Sequence, residues 1–369
     1  MKKHNVLYIS SFGDLVGGGE FSFLGLVSHL DPERFTPVVV CPSEGSLVEE
    51  IGKLGIEFSI IPMPRLKWIN PFSLFSSVRS LVRLIRGKGI SLVHANGSRC
   101  AVYGGIACMI ARVPMIWHVR ILESDAMLDR VLAWMSVMVM VNSRAVKGRF
   151  SWMKRQEKVQ VVYNGINLCT CHDQGGSGNL RAELGISDKT ALIGIVGRLD
   201  WYKAHKYFLE AAQKIKLVLP DSHFLIVGEG ENRGSLERQA EKLGIRSCVT
   251  FTGHRRDIPA ILSALDVFAL SSVSEGFGRV VAEAMACAKP VVATRVGGLL
   301  EVIEEGATGK LVPPANPLAL AGAVLEVLRD KEKARVMGEA GRLRAQNLFG
   351  VEKNAETTEV LYERILGAE

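Results

Sequence analysis

The sequence has no long hydrophobic run. None of its 369 residues belong to an uncharged apolar stretch of the roughly 18 residues that a membrane-spanning helix needs. The basic start at residues 1–4 is followed by an apolar run that ends by Ser10, which is too short for the apolar part of a signal peptide. We therefore expect no membrane-spanning helix and no leader, and we interpret the start as a first strand.

Cysteine is scarce and forms no disulfide pattern. The seven cysteines are odd in number and most lie in apolar runs, so we expect free thiols in a reducing, cytoplasmic environment. Cys169 and Cys171 stand beside His172, but no second Cys/His cluster lies nearby in the sequence. An Asp-x-Asp motif that could hold a metal ion is also missing. The sequence therefore predicts no metal and no cofactor.

Low-complexity sequence is almost absent as well. The exception is the glycine-rich stretch at residues 173–178, which we predict to be a flexible linker. Apolar residues make up 48% of the chain, enough for a sizeable core. At roughly 100–200 residues per domain, the length favours two domains.

Positive charge is concentrated in the first half of the chain. Residues 1–170 carry 20 Lys/Arg against 12 Asp/Glu, whereas residues 171–369 carry 25 against 26. The first half therefore favours an anionic partner, such as a membrane surface or a nucleic acid.

Short apolar strands alternate with helical segments in two successive series. The predicted strands are 6–10, 36–41, 58–61, 92–95 and 115–119 in the first series, and 191–196, 224–227, 249–251, 267–270 and 291–293 in the second. Such alternation is typical of a parallel sheet covered by helices on both faces.

We predict an α/β fold of two doubly wound, Rossmann-like domains. The first spans 1–170, the second spans 171–350, and an amphipathic helix at 351–369 closes the chain. Two such domains in tandem are expected to face each other across a cleft at the carboxyl ends of their strands, where ligands bind.

Two turns after predicted strands suit anion binding. Gly17-Gly18-Gly19 opens a helix, where backbone N–H groups can approach an anion, although the dinucleotide pattern is incomplete. Arg198 and Lys203 follow the first strand of the second series, and this pair could bind a phosphate. The alternative interpretations are a flexible loop and a solvated basic turn.

Glu275 and Glu283 stand eight residues apart around Gly276 and Gly278. A carboxylate just inside a helix can accept both hydroxyls of a ribose, and Glu275 could hold another polyol. Glu283 lies among apolar neighbours, so we expect it to be largely buried and to need a partner. The alternatives are a helix-start charge for Glu275 and a solvated position for Glu283.

His118 ends a predicted strand of the first domain. In that position its side chain would face the cleft, and its ordinary pKa suits hydrogen bonding or proton exchange near neutral pH. The alternative is a core histidine whose ring nitrogens are both hydrogen-bonded.

In their order and spacing these motifs resemble the retaining glycosyltransferases of group 1, or family 4, which have the GT-B fold. The resemblance covers nearly the whole chain and is strongest at Glu275–Glu283, which matches the family's E-x7-E signature. Its other segments are 162–167, 197–203, 227–230 and 297–301.

The resemblance implies a role for each motif. Glu283 would bind the ribose of a nucleotide-sugar donor, and Glu275 would hold hydroxyls of the donor sugar. His118 would line the reaction centre and contact the donor sugar, and His254 and Arg255 would lie beside the base. The final helix at 351–369 would cross back to the first domain. The implied catalytic residues are His118, Arg198, Lys203 and Glu275. The implied donor-binding residues are Gly17, Gly18, Gly19, Arg198, Lys203, His254, Arg255, Glu275, Gly276, Phe277, Gly278 and Glu283.

The resemblance also implies the chemistry. Arg198 and Lys203 would neutralise the diphosphate as the sugar–phosphate bond breaks, and no metal would be required. The anomeric configuration would be retained, by front-face attack of the acceptor. A covalent intermediate is the less favoured alternative, because the first domain offers no convincing nucleophilic carboxylate. The chain departs from the family at Ala204, where glycine is usual, and at Gly278, where many members have proline.

The first domain would bind the acceptor. Segment 64–88 mixes aromatic residues, including Trp68, with arginines, a composition that suits the anionic inner face of a membrane. We therefore expect a saccharide or lipid-linked acceptor, a role in bacterial surface polysaccharide, lipopolysaccharide or glycolipid synthesis, and a cytoplasmic protein peripheral to the membrane. The alternative is an ordinary helix with a solvated basic face.

Other functions remain open at this point. An epimerase of the same fold would use the same nucleotide-sugar site, and a binding protein would hold the donor without turnover. A nucleic-acid partner would explain the positive charge of the first domain but not the two glutamates, so we expect none.

Overall fold

The computed structural model describes residues 3–65, 70–168 and 177–367. The chain divides into two compact units. Unit 1 comprises Met1–Gly165 together with Val351–Glu369, and unit 2 comprises Ile166–Gly350. Residues 173–176 of the linker predicted at 173–178, the Cys169–His172 pattern and Trp68 lie outside the described residues. Residues 177–178 of that predicted linker belong to a helix that begins at Ser177.

Unit 1 contains a seven-stranded parallel sheet. Its strands are β1 (His4–Ile9), β2 (Phe35–Cys41), β3 (Glu57–Ile60), β4 (Ile90–Asn96), β5 (Met115–Val119), β6 (Met138–Val141) and β7 (Val159–Val161), in the order β3-β2-β1-β4-β5-β6-β7. The helices between them are α1 (Gly18–Ser28), α2 (Ser46–Lys53), α3 (Pro71–Gly87), α4 (Ser98–Ala111), α5 (Ala126–Met135) and α6 (Arg144–Lys147).

Unit 2 contains a six-stranded parallel sheet. Its strands are β8 (Ala191–Val196), β9 (Ser222–Val227), β10 (Val249–Gly253), β11 (Val267–Leu270), β12 (Val291–Thr294) and β13 (Lys310–Val312), in the order β10-β9-β8-β11-β12-β13. The helices are α7 (Ser177–Glu183), α8 (His205–Val218), α9 (Arg233–Lys242), α10 (Ile258–Ala264), α11 (Arg279–Ala286), α12 (Leu299–Val302), α13 (Pro317–Arg329) and α14 (Lys331–Phe349).

The core of unit 1 explains why its strands are continuous apolar runs. Successive residues of a strand point to opposite faces, and in β1 both faces are buried. Leu7 and Ile9 pack in one apolar cluster, whereas Val6 and Tyr8 pack in another. The sequence prediction of two doubly wound α/β domains is therefore confirmed for each unit.

The final helix, α15 (Val351–Leu366), belongs to unit 1. Tyr362 is fully buried in the cluster that contains Tyr8. The Asn354 side chain donates to the Tyr163 carbonyl over 2.6 Å, and Glu359 accepts from the Asp31 N–H over 2.6 Å. In the structure the chain passes from one unit to the other at Gly165/Ile166 and at Gly350/Val351, whereas the sequence predicts boundaries at 170/171 and 350/351.

Candidate active site

Each sheet has a topological switch point, where two strands that are not consecutive lie side by side. In unit 2 this is the pair β8 and β11, and in unit 1 it is β1 and β4. Ligands of open α/β sheets bind outside the carboxyl ends of the strands at such points. The loops after β8 and β11 carry Lys203 and Glu275, so two of the predicted site residues lie at the switch point of unit 2.

The structure brings Lys203 and Glu275 into direct contact. The Lys203 Nζ donates to Glu275 Oε1 over 2.5 Å, and the Ser272 hydroxyl donates to the same oxygen over 2.7 Å. The two charged side chains are only 15% and 8% exposed. A buried carboxylate needs such partners. The pair therefore places a cation next to a carboxylate that can accept hydrogen bonds from the hydroxyls of a polyol.

The loops that hold this pair are tied to each other. Val273 N–H donates to the Tyr202 carbonyl over 2.8 Å, and the Ser271 hydroxyl donates to the Ala204 carbonyl over 3.1 Å. Ala204 lies in the left-handed region, with φ 51° and ψ 41°. A residue without a β-carbon adopts this conformation at lower cost, which gives a physical reason for the glycine that the family usually has here.

Glycines let a second loop pack against the turn that follows Glu275. Gly298 N–H donates to the Glu275 carbonyl over 2.9 Å. A β-carbon on Gly298 would lie 2.4 Å from the Gly276 carbonyl oxygen and 2.7 Å from Phe277 Cα. Gly278 has φ 87° immediately before α11, a backbone angle that proline cannot adopt.

Glu283 lies in α11 beside Arg279. The guanidinium of Arg279 is 3.0 Å from the Glu283 carboxylate, and the Glu283 side chain remains 24% exposed. Burial raises the pKa of the Glu283 carboxyl, and the Arg279 charge opposes that shift. Glu283 therefore has the charged partner that a carboxylate among apolar residues needs, and its side chain is also partly accessible to solvent.

Arg198 also stands in the loop after β8, and its side chain is 53% exposed. It lies 2.8 Å from the Asp200 carboxylate and donates to the Tyr202 hydroxyl over 2.7 Å. An exposed ion pair of this kind contributes little stability and can exchange for a phosphate at small cost.

Two residues predicted to lie beside the base differ in their surroundings. His254 is exposed after β10. Arg255 is held by Glu183 and Asp257, with contacts of 2.6 Å and 2.7 Å, and these carboxylates raise its pKa. Its guanidinium therefore already serves two carboxylates, and its place beside the base stays a prediction.

The glycine motif of unit 1 opens a helix, as the sequence predicts. Gly17 precedes α1, whereas Gly18 and Gly19 form its first turn, where N–H groups have no acceptor within the helix. Glu20 follows in the same turn and is only 8% exposed. Sequence analysis missed this carboxylate, and the signal for it was an acidic residue directly after three glycines.

His118 is the last residue but one of β5 and is fully buried. Its Nδ1 lies 2.9 Å from His94 Nε2 and 3.3 Å from an Arg120 nitrogen, whereas its Nε2 has no partner among the described residues. Burial, Arg120 and His94 together lower the pKa of His118 well below its ordinary value. The ring therefore does not meet the description of a core histidine with both nitrogens hydrogen-bonded.

Neither a metal centre nor a membrane-spanning element is found in the part of the chain that the structure describes. No group of three or more His, Cys, Asp or Glu side chains there could hold a metal ion. None of its helices combines the length and the apolar character needed to cross a bilayer.

Two topological switch points, one of which holds a buried Lys–Glu pair, are typical of ligand-binding proteins with doubly wound α/β domains. Family models identify the chain further. Residues 177–344 match the model of glycosyl transferases group 1, and residues 16–169 match that of glycosyltransferase family 4. The chain therefore belongs to the group 1 glycosyltransferases, transferase enzymes of the GT-B fold.

Individual relatives agree with this assignment. The chain is 29% identical to N-acetyl-alpha-D-glucosaminyl L-malate synthase of Bacillus anthracis, over 67% of this chain and 66% of that protein. It is 25% identical to the Escherichia coli UDP-Gal:alpha-D-GlcNAc-diphosphoundecaprenol alpha-1,3-galactosyltransferase, over 90% of each. The chain spans just under two thirds of the Bacillus protein and about half of several other curated relatives.

The fold resembles that of Anabaena HepE in complex with UDP and glucose. The TM-score is 0.86 at 26% identity, with 97% of this chain and 99% of that chain covered.

Proposed function

We propose that the protein transfers a sugar from a UDP- or GDP-linked donor to a saccharide or lipid-linked acceptor, with retention of the anomeric configuration. The Lys203–Glu275 pair at the switch point of unit 2 carries this proposal. The similarity to a UDP-galactose transferase and to a fold that holds UDP and glucose favours UDP over GDP.

The paired residues suit the two halves of the donor. Lys203 offers the charge that stabilises a leaving diphosphate as it forms, and Arg198 can exchange Asp200 for a phosphate. Glu275 accepts hydrogen bonds from sugar hydroxyls, and Glu283 accepts those of the ribose. When the donor binds, the contact between Lys203 and Glu275 is then replaced by two contacts with one ligand, from Lys203 to the diphosphate and from Glu275 to the sugar.

Calorimetry with UDP, GDP and their sugars tests the donor site. We expect the wild type to bind one nucleotide and Glu283→Ala to lose most of that affinity, because the ribose loses its acceptor. Glu332→Ala is the matched control, since Glu332 lies on α14 with 71% of its side chain exposed. Equal nucleotide binding by Glu283→Ala and the control would make Glu283 a structural residue.

Product analysis tests the reaction itself. The donor is incubated with and without lipid-linked saccharide acceptors, and NMR of the product gives the anomeric configuration. An α-linked product from an α-linked donor agrees with retention, whereas a β-linked product contradicts it. A changed sugar without any acceptor would indicate an epimerase, and tight donor binding without turnover would indicate a binding protein.

We further propose that unit 1 docks on the anionic inner face of a membrane, where a lipid-linked acceptor for surface polysaccharide or glycolipid synthesis would lie. Phe72 and Phe75 on α3 are 86% and 66% exposed. Arg79, Arg83 and Arg86 are exposed as well. The spacing of these five residues places them along one face of the helix, which offers apolar insertion and positive charge together.

Sedimentation with lipid vesicles tests this docking. We expect wild type to bind vesicles that contain anionic lipid, and the Phe72→Ser/Phe75→Ser variant to bind at least about tenfold more weakly because it loses the apolar insertion. Leu217→Ser/Leu318→Ser in unit 2 is the control, since these side chains are 80% and 69% exposed. Unchanged binding of the phenylalanine variant would contradict the docking face.

A further inference from the structure

A line of hydrogen bonds runs through the buried interior of unit 1 and ends at His118. The Tyr8 and Tyr362 hydroxyls lie 2.8 Å apart, the Tyr362 hydroxyl lies 2.6 Å from His94 Nδ1, and His94 Nε2 lies 2.9 Å from His118 Nδ1. All four side chains are at most 1% exposed. They come from β1, β4, β5 and α15.

The His118 end of this line has a defined direction. Arg120 approaches His118 Nδ1 to 3.3 Å, and a guanidinium can only donate. Nδ1 is therefore the acceptor nitrogen, and His94 Nε2 must carry the proton that it shares with His118.

The tyrosine end gives the same direction independently. If His94 Nε2 is the donor, then His94 Nδ1 accepts from Tyr362, and Tyr362 accepts from Tyr8, so every hydroxyl proton has an acceptor. In the reverse direction the Tyr8 proton would point into the core, because Tyr362 is the only partner of that hydroxyl among the described residues. A buried donor without an acceptor is costly.

We infer that this line fixes His118 as the tautomer with a proton on Nε2, so that in the donor-sugar contact that the family resemblance implies for it His118 donates a hydrogen bond and does not act as a base. His94 and Tyr362 are then positioning residues. The inference rests on the proposed function, and it extends that function by assigning a role to the C-terminal helix.

Two observations support the assignment. His118 Nε2 is buried and has no partner within the described residues, and an N–H in that position calls for a ligand acceptor. Burial also lowers the pKa of His94 to about 3 and that of His118 well below its ordinary value, so both rings are neutral near pH 7.

Long-range 1H–15N correlation NMR on the histidine-labelled protein without substrate reads the tautomers directly. We expect His118 and His94 both to carry the proton on Nε2. Tyr362→Phe alone removes the donor to His94 Nδ1 but leaves Arg120 facing His118 Nδ1. The double variant Tyr362→Phe/Arg120→Met removes the donors at both ends of the line and should produce mixed tautomers in both rings. A proton on His118 Nδ1 in the wild type, or unchanged tautomers in the double variant, would overturn the inference.

A matched pair of variants tests the role in transfer. His94→Gln keeps an N–H at the position of Nε2, whereas His94→Leu removes it. We expect kcat to fall about tenfold in His94→Leu, the effect of one lost hydrogen bond, and to stay within about threefold in His94→Gln, with the donor KM unchanged in both. Equal kcat values would overturn the positioning role. The expected tautomers without any sugar transfer by the wild type would instead contradict the proposed function.

Discussion

The Lys203–Glu275 pair has both charges largely out of water, and the Ser272 hydroxyl is a further hydrogen-bond donor to the glutamate. Removing one member of such a pair is costly because the other charge stays buried. We expect Lys203→Met to lower the free energy of unfolding by about 3 kcal/mol. The double variant Lys203→Met/Glu275→Gln should recover part of that loss. Urea unfolding measures both values, and additive losses would show that the two charges do not interact.

Ala204 offers a second prediction at the scale of one residue. The left-handed conformation costs an alanine about 1–2 kcal/mol of stability. A glycine avoids this cost, but it lowers stability by about 0.4–1 kcal/mol because it gives the unfolded chain more conformational freedom. Ala204→Gly should therefore raise the free energy of unfolding of unit 2 by about 0.5–1 kcal/mol. Ala212→Gly in α8 is the control and should lower it, since α8 is an ordinary helix. A destabilised Ala204→Gly protein, measured in urea, would show that the strain is absent.

The E-x7-E pattern located both glutamates, yet nothing in the sequence indicated that Lys203 and Glu275 touch. That contact depends on β8 and β11 being neighbours, although the two strands lie more than 70 residues apart in the sequence. Likewise, the family resemblance implies a place beside the base for Arg255, whereas nothing in the local sequence indicates its contact with Glu183, which lies 72 residues away.

At the scale of whole elements, glycine allows the loop at Gly298 to pack closely against the turn that carries Glu275. Gly298 has ordinary helical angles, so only space limits the side chain there. Gly298→Ala would press a methyl group against backbone atoms of Gly276 and Phe277 and should lower the free energy of unfolding by about 1–3 kcal/mol. It should also weaken nucleotide binding, because the turn that carries Glu275 must move.

The control for this variant is Gly322→Ala. A β-carbon on Gly322 meets no heavy atom within 4 Å, and the residue is exposed on α13. The same substitution there should raise stability by about 0.5–1 kcal/mol through helix propensity. If thermal unfolding shifts equally for both variants, the packing of the 297–298 loop is unimportant.

At this scale the sequence predicts most of the strands, including the four-residue β3, β11 and β12, but not β6, β7 and β13. Runs such as Val6–Ile9 and Ala191–Val196 are continuously apolar and were assigned correctly. The strands β6, β7 and β13 have only three or four residues, and they are strands because neighbouring strands supply their hydrogen bonds. Local sequence contains little of that information.

At the scale of the whole molecule, buried neutral histidines make both units sensitive to acid. Burial lowers the pKa of His94 in unit 1 and of His205 in unit 2 to about 3. In the unfolded chain each ring takes up a proton below about pH 6.5, whereas in the folded chain it does not until about pH 3. The contribution of the neutral rings to stability is therefore fully present above about pH 6.5. Below that pH, the free energy of unfolding falls by about 1.4 kcal/mol per pH unit for each ring.

Calorimetry between pH 7 and pH 5 measures this dependence. We expect His205→Gln to weaken the pH dependence of the unit 2 transition only, and His94→Gln to weaken that of unit 1 only. Unchanged pH dependence in both variants would show that these rings are protonated in the folded protein.

The return of α15 to unit 1 has a consequence for how the protein is made. Because α15 supplies Tyr362 to the core around Tyr8, the first domain to leave the ribosome is the last to be completed. All of residues 166–350 are translated before its final helix exists. Until then the apolar surface that α15 will cover stays exposed, and such transient surface is where a nascent chain aggregates or binds a chaperone. Unit 2, by contrast, can finish folding while synthesis continues.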